Sequence, residues 1–245
     1  MEYASQNKIK QVTKLKQKRY RKEQQQVIIE GKRLLEQVIA NGIIPTEIFL
    51  LENSSYEFSG SALFWLKQHQ LNKLSSTQTP QNIFGVVPTI APKIKAKRIL
   101  LYLDAVSEPG NIGTIFRTAA AAGIDGIILS EDCCEIWNPK VIRASLGTVF
   151  SVPSEIHSHK WLFEQEAKII SSSLHHSNDL FSSKLPTENC IIAIGSEAFG
   201  VSEDIIAKTN ETVHIPMTTK IESLNVAVAA GIIIFHYANQ LGQTK

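Results

Sequence analysis

From His214 the chain reads as a short β-type run closed by Pro216, a polar loop from Thr218, and then an uncharged stretch, Leu224 to Tyr237, rich in Ala, Val and Ile. Proline cannot donate to a sheet ladder, so the strand has to stop there. Ser223 stands where an N-cap belongs, just ahead of the apolar run. A helix that is apolar on nearly every side does not lie on a surface; it belongs in a core or an interface. The unbroken apolar run, Val226 to Phe235, is well short of the ~20 residues that a membrane span requires. A polar loop is therefore held between a strand end and the start of a buried helix, where free N–H groups and a positive dipole end favour ligands.

Upstream, strands and helices alternate. Val27 to Ile29 reads as a strand, Lys32 to Asn41 as an amphipathic helix stopped by Gly42, and Glu47 to Leu51 as a second strand. Ser61 to His69 is expected to be a helix and Asn82 to Val87 a third strand. Pro88, Pro92 and the run Lys93, Lys95, Lys97, Arg98 break this pattern, which places a linker at 89–97. Beyond it, strands are expected at Ile99–Leu103, Gly126–Ser130, Val149–Val152, Lys168–Ser172, Cys190–Gly195 and Val213–Pro216. Helices are expected at Thr114–Ala122, from Asn138-Pro139 through Ala144, at 160–166, and at the C-terminal run. Such alternation implies an α/β fold with a largely parallel sheet.

In parallel sheets ligands bind beyond the carboxyl ends of the strands. Three polar loops fall at such ends: 104–113, 195–202 and 217–225. Familiar phosphate and hydrolase loops are absent from them. Gly110-Asn111-Ile112-Gly113 lacks the G-x-G-x-x-G spacing, and no G-x-x-x-x-G-K-[ST] occurs. Gly195-Ser196-Glu197-Ala198-Phe199-Gly200 is not a nucleophile elbow, because Ser196 directly follows Gly195. Three cysteines do not make a disulfide framework, no Cys/His spacing resembles a zinc site, and the Lys-rich start is no secretory signal. The expected compartment is the cytoplasm.

Charge is unevenly spread. Residues 1–22 hold eight Lys/Arg against one Glu, a net of +7, while the whole chain carries +2. A basic arm of this kind suits a phosphate backbone, and it equally suits a solvated helix or a disordered tail.

Four stretches carry a resemblance. Glu108-Pro109-Gly110-Asn111-Ile112-Gly113 with Arg117-Thr118-Ala119 is similar to the first motif of the SpoU (TrmH-type) RNA methyltransferases of the SPOUT superfamily. Gly195 to Ser202 resembles their second motif, and Ile215-Pro216-Met217 with Glu222-Ser223-Leu224-Asn225-Val226 their third. Asn138 to Gly147 resembles the stretch between the first two. Residues 26–87 resemble, more loosely, the family's ribosomal-protein-L30e-like substrate-binding domain. Charge alone sets residues 1–22 apart as a basic arm, and no metal is expected. The resemblance implies an L30e-like domain at 23–88, a trefoil-knotted α/β methyltransferase domain at 98–245, an obligate homodimer, S-adenosylmethionine (AdoMet) as methyl donor, and an RNA ribose 2′-hydroxyl as acceptor.

Carried over residue by residue, Gly195, Ile215, Met217 and Leu224 match the main-chain AdoMet contacts, and Gly200 permits close backbone approach. Arg117 matches an arginine proposed to activate the ribose hydroxyl. A guanidinium stays protonated, so a phosphate clamp and hydroxyl orienter is the physically easier role, with a surface salt bridge as the bland alternative. Asn111, Ser223 and Asn225 are neutral hydrogen bonders suited to holding that arginine and the substrate in register, and Asn111 and Ser223 are equally suited to capping helices. Glu197 is expected to orient the same network. Arg143, Lys18, Arg19 and Arg21 are candidate RNA contacts. Cys133 to Trp137 and the bulky Phe199 depart from the family pattern. Ribosomal RNA is favoured over transfer RNA, and a silent RNA-binding or ribosome-assembly factor on the same fold is the alternative.

Overall fold

The computed structural model describes the chain apart from residues 1, 53, 55, 57, 59, 97, 174–176, 185, 187, 219–222 and 243–245. The first part of the chain runs β1 (Glu2–Tyr3), α1 (Gln6–Lys14), α2 (Lys18–Gln24), β2 (Gln26–Glu30), α3 (Lys32–Ala40), β3 (Glu47–Leu51), β4 (Ala62–Leu66), α4 (Gln68–Leu74) and β5 (Ile83–Pro88). Among the described residues these strands form one mixed sheet in the order β1-β4-β3-β5-β2.

The second part runs β6 (Ile99–Leu103), α5 (Pro109–Ala122), β7 (Gly126–Leu129), α6 (Pro139–Ala144), β8 (Ser154–Ile156), α7 (His159–Phe163), β9 (Lys168–Ser172), β10 (Asn178–Asp179), β11 (Cys190–Ile194), α8 (Glu203–Ile206), β12 (Glu211–His214) and α9 (Val226–Gln240). Its sheet has the order β10-β12-β9-β11-β6-β7-β8, and all these pairings are parallel. The central strands β6 and β11 are buried along their whole length, as expected where helices cover both faces of a parallel sheet. That is why they read as unbroken apolar runs.

Several sequence expectations are corrected. Residues 62–66 form a strand, not a helix: Ala-Leu-Phe-Trp-Leu pairs in parallel with β3, and Phe64 stacks on Phe49 at 5.3 Å. Short apolar runs with aromatics do not distinguish helix from strand by period, and the cross-strand aromatic pair decides here. The helix follows at Gln68. Val149–Val152 is no strand either; Thr148–Phe150 is a 3₁₀ turn after Gly147, whose φ is +83°, and the strand starts at Ser154. α5 begins at Pro109, capped by Glu108, so most of the first motif lies inside the helix. α9 begins at Val226 rather than Leu224, and its cap is Asn225, not Ser223.

The basic arm at 1–22 is no separate tail. β1 pairs with β4, and Ile9, Val12 and Leu15 pack with Phe49, Leu71 and Phe84 in a core of the first sheet. The amphipathic spacing of those three residues outweighs their charged neighbours. Arg21, expected among the RNA contacts, is 4% exposed. Its guanidinium donates to the carbonyls of Leu15 and Lys16 at 3.0 and 2.7 Å, and forks onto both carboxylate oxygens of Glu135, which belongs to the second part of the chain. Two further contacts join the parts: Arg143 donates to Ser76 at 3.1 Å, and Gly147 leaves room for Leu34 of α3.

Breaking a buried, bidentate pair strands one charge, which costs more than the pair contributes. Arg21→Met is therefore expected to lower unfolding stability by about 3 kcal/mol, read from the denaturant midpoint. Arg21→Met combined with Glu135→Gln should recover a large part of that loss.

Candidate functional site

A cleft of ≈ 760 Å³ opens at the carboxyl ends of β11 and β12 and the start of α9. This lies within the usual range for small-ligand sites, about 300–1,000 Å³. Its walls are the backbone of 194–201, the segment 212–217, and Ser223, Leu224 and Val226. Ile194, Ile215, Met217, Leu224 and Ile233 make one side apolar. Glu197 and Glu203 are the charged side chains among its lining residues.

The turn at 195–200 is unusually tight. Ser196 and Gly200 exchange both backbone hydrogen bonds at 3.0 Å. A Cβ on Gly195 would sit 1.8 Å from the carbonyl carbon of Gly200 and 2.0 Å from the amide of Val201. Backbone, not a yielding side chain, fills that space, so only glycine fits. Gly200 itself has φ +69°, a left-handed conformation glycine takes at little cost.

At one lip the starts of two helices meet. Asn225 accepts from the amides of Ala227 and Val228 at 2.9 and 3.3 Å and so caps α9, while its own amide donates to Asn111 at 3.1 Å. Asn111, in the first turn of α5, donates in turn to Glu197. One chain of amides thus links all three loops that the sequence places at strand ends. Arg117 is exposed on α5, and among the described residues no acceptor or carboxylate pairs with it. Glu108, at the N-cap, bonds Lys140 at 2.7 Å and the Gly110 amide at 3.3 Å, which together hold its carboxyl below the usual range.

A second polar cluster anchors the cleft from below. The Asp104 amide donates to Ile194 at 2.9 Å, just before the 195–200 turn. Its carboxylate, 2% exposed, accepts from the Ser202 amide at 2.8 Å, from the Ser202 hydroxyl and from His159. Ala105 follows with φ +51°, and its amide donates to Ser130. Among the described residues no group of His, Cys, Asp and Glu is placed to hold a metal ion.

A family model described as the SpoU rRNA Methylase family matches residues 98–235. The chain belongs to that family. Residues 6–85 match an MRM3-like substrate binding domain. Among curated relatives, the 23S rRNA (guanosine(2553)-2′-O)-methyltransferase RlmP of Bacillus subtilis is 29% identical over 96% of this chain and 98% of its own length. An uncharacterized tRNA/rRNA methyltransferase of Synechocystis is 31% identical over 95% and 90%. Among solved structures, a putative RNA methyltransferase of the TrmH family from Porphyromonas gingivalis is 27% identical, covers 96% of this chain and 98% of its own, and has a TM-score of 0.82. An AdoMet-bound rRNA methyltransferase from Sinorhizobium meliloti, at 23% identity over 98% of both chains, shares the fold with a TM-score of 0.85.

Set beside the expected site of this SpoU-family chain, Gly195, Gly200, Ile215, Met217, Leu224, Glu197 and Ser223 line one cleft. Asn111 and Asn225 join Glu197 at its lip, and Arg117 stands further along α5. Glu222 falls outside the described residues. Arg143 reaches Ser76 of the first sheet's unit, and Lys18 and Arg19 are exposed on α2. Arg21 is removed from the set, since Glu135 occupies it. Asp104, Ser202 and His159 escape sequence reading. The one available signal is position: Asp104 is the first polar residue after a fully buried strand.

Gly195→Ala is expected to force the 195–200 turn open. Hydrogen exchange at the Ser196 and Gly200 amides should lose protection by at least about tenfold, equivalent to 1.4 kcal/mol, while amides of β6 and β9 keep theirs.

Proposed function

We propose that this chain transfers the S-methyl group of AdoMet to a ribose 2′-hydroxyl of RNA, with ribosomal RNA as substrate. The observation that carries the reading is the cleft itself: a mixed apolar and acidic pocket whose floor is backbone at a glycine that tolerates no side chain. Membership of the SpoU family and the 23S rRNA 2′-O-methyltransferase activity of the RlmP relative support it.

The residues present fit AdoMet. Ile215, Met217 and Leu224 offer an apolar wall for an adenine ring, and free main-chain groups of the same loops offer edges for hydrogen bonding. Glu197 and Glu203 supply negative charge to a pocket that would hold a sulfonium and an ammonium. When bound, AdoMet would supply an electrophilic methyl group and depart as a neutral thioether, the proton of the 2′-hydroxyl passing to water. The chain's own part is placement, which is worth much of the rate in a reaction of this kind. Arg117, permanently protonated, binds a phosphate beside the target ribose and orients the 2′-oxygen. The Asn111–Glu197–Asn225 network keeps α5, and with it Arg117, at a fixed distance from the cleft.

The RNA reading extends to the first unit. Lys18 and Arg19 lie on α2, exposed, with Arg19 also over the ring of Tyr20 at 5.9 Å. Fixing α2 to the catalytic unit through Arg21 and Glu135 places these cations beside the 131–138 loop. Two further features belong to the proposal. The chain threads as a trefoil knot, a reading supported by its membership of the SpoU family and its likeness to the TrmH-family structure from Porphyromonas gingivalis. It also pairs as a homodimer, supported by Val228, Ile232 and Phe235, an apolar stripe left partly exposed on α9.

The test is transfer from methyl-labelled AdoMet to ribosomal and transfer RNA of a strain lacking the gene, followed by nucleoside analysis. Label is expected in a 2′-O-methylnucleoside of ribosomal RNA. Arg117→Ala should lower transfer at least about a hundredfold with AdoMet affinity retained. Cofactor binding with no transfer to any RNA would favour a silent RNA-binding factor. In a separate salt titration, Lys18→Ala with Arg19→Ala should reduce the slope of log affinity against log salt by about 1 for each lost phosphate contact.

A further inference from the structure

His159, at the start of α7, lies between two carboxylates. Its Nε2 is 2.9 Å from Asp104 and its Nδ1 is 2.8 Å from Asp204 in α8. Carboxylates accept hydrogen bonds and do not donate them, and a neutral imidazole has one N–H only. Both short contacts are satisfied together only when the ring is an imidazolium. Asp104 is also the residue that holds both ends of the 195–202 segment, Ile194 through its amide and Ser202 through its carboxylate. That segment forms a wall of the cleft.

Resting on the reading of the cleft as the AdoMet site, we propose that His159 is a positioning residue: as an imidazolium it ties Asp104 to Asp204 and clamps the cofactor loop between β6 and α8. His159 is not among the residues that line the cleft, so it acts through Asp104 and Ser202, not on the methyl group. Nothing in the methyl-transfer motifs assigns it a role.

The charges around the ring set the sign of its pH response. From β6 it faces Asp104 and Tyr102, whose ring is 6.0 Å away and whose phenol is pushed far above its ordinary value by burial first and then by nearby anions. From α8 it faces Asp204 and from its own helix Phe163. Cys133, held protonated by burial, and Glu131 lie within electrostatic reach of the Asp104 and Tyr102 end of β6. The neighbouring His157 is engaged by Glu155 and stacked on Trp161. Among the described residues no lysine or arginine pairs with Asp104 or Asp204. Partial burial lowers the His159 pKa, but the bonds and charges of the two aspartates outweigh it and raise it above 6.5. A raised pKa means the clamp is fully present below 6.5 and is lost as pH rises through the folded-state value. On deprotonation the remaining N–H stays with buried Asp104, and Asp204, 54% exposed, is released to water.

The experiment compares the full-length wild type with His159→Gln and, because Asp204 is exposed and its loss leaves the core intact, Asp204→Asn. Two quantities are followed between about pH 6 and pH 9: the AdoMet dissociation constant by calorimetry, and the exchange protection of the Ser202 and Gly200 amides without ligand. In the wild type, affinity and protection should both fall as pH rises, each by about fivefold or more. Both variants should start weaker at low pH and show a flat profile. Wild-type and His159→Gln profiles that coincide in both quantities would overturn the clamp. Wild-type protein that binds no AdoMet at any pH, yet keeps pH-dependent protection, would overturn the cofactor reading and the positioning role with it.

Discussion

At the carboxyl end of β11 the backbone of Gly200 and Val201 passes so close over Gly195 that a single methyl group there would collide with main chain on three atoms. Most of the site's geometry follows from that contact. A loop pressed against a strand end has few unsatisfied groups of its own, so Ser196 and Gly200 pair with each other, and the ends are left for other elements to hold. Asp104 holds both, one with its amide and one with its carboxylate. The strand that enters the sheet beside β11 thereby fixes the loop that leaves it. Two strand ends in register share one anchor, and the wall of the cleft inherits the rigidity of the sheet.

The opposite lip is fixed by different means. Asn225 satisfies two free amides at the start of α9 and still has its own amide to spend on Asn111, so a helix cap doubles as the joint between α9 and α5. Neutral amides suit this place. Glu197 receives its hydrogen bond from an uncharged donor, while among the described residues no carboxylate pairs with Arg117. Anion and cation therefore face different surroundings: Glu197 lines the cleft, and Arg117 stands on α5 outside its lining.

How much of this could be read from sequence depends on which force decided each element. The central strands were legible, because burial on both faces leaves an unbroken apolar run at Ile99–Leu103 and Cys190–Ile194. The three polar loops at strand ends were legible for the same reason, since their positions follow from where those strands stop. Residues 62–66 were misread because the aromatic pairing of Phe64 with Phe49 lies outside any local window. The start of α9 was misread because Ser223 and Asn225 are both good caps, and only the position of Asn111 selects between them. Lys18, Arg19 and Arg21 look equivalent as a basic run. The partner that separates them, Glu135, is more than a hundred residues away, at a separation of 114. His159 carries no local signal for the same reason: both its carboxylates come from other elements.

The joint between the two sheets carries a consequence for recognition. An enzyme that must place one ribose among thousands reads features of the RNA away from the reacting atom, and that reading is useful only if its distance to the cleft is constant. Arg21 closes α1 through the carbonyls of Leu15 and Lys16 and grips Glu135 with the same guanidinium, so the basic helices and the loop before α6 move as one piece. That loop in turn hydrogen-bonds back to Val106, between Asp104 and the start of α5. The path from the exposed cations of α2 to Asn111 thus runs through a bidentate ion pair and two backbone loops. Cys133 to Trp137, which departs from the family pattern, is the segment that makes this connection. Within it, the Glu135 side chain meets Arg21 and the Cys134 backbone amide meets Val106.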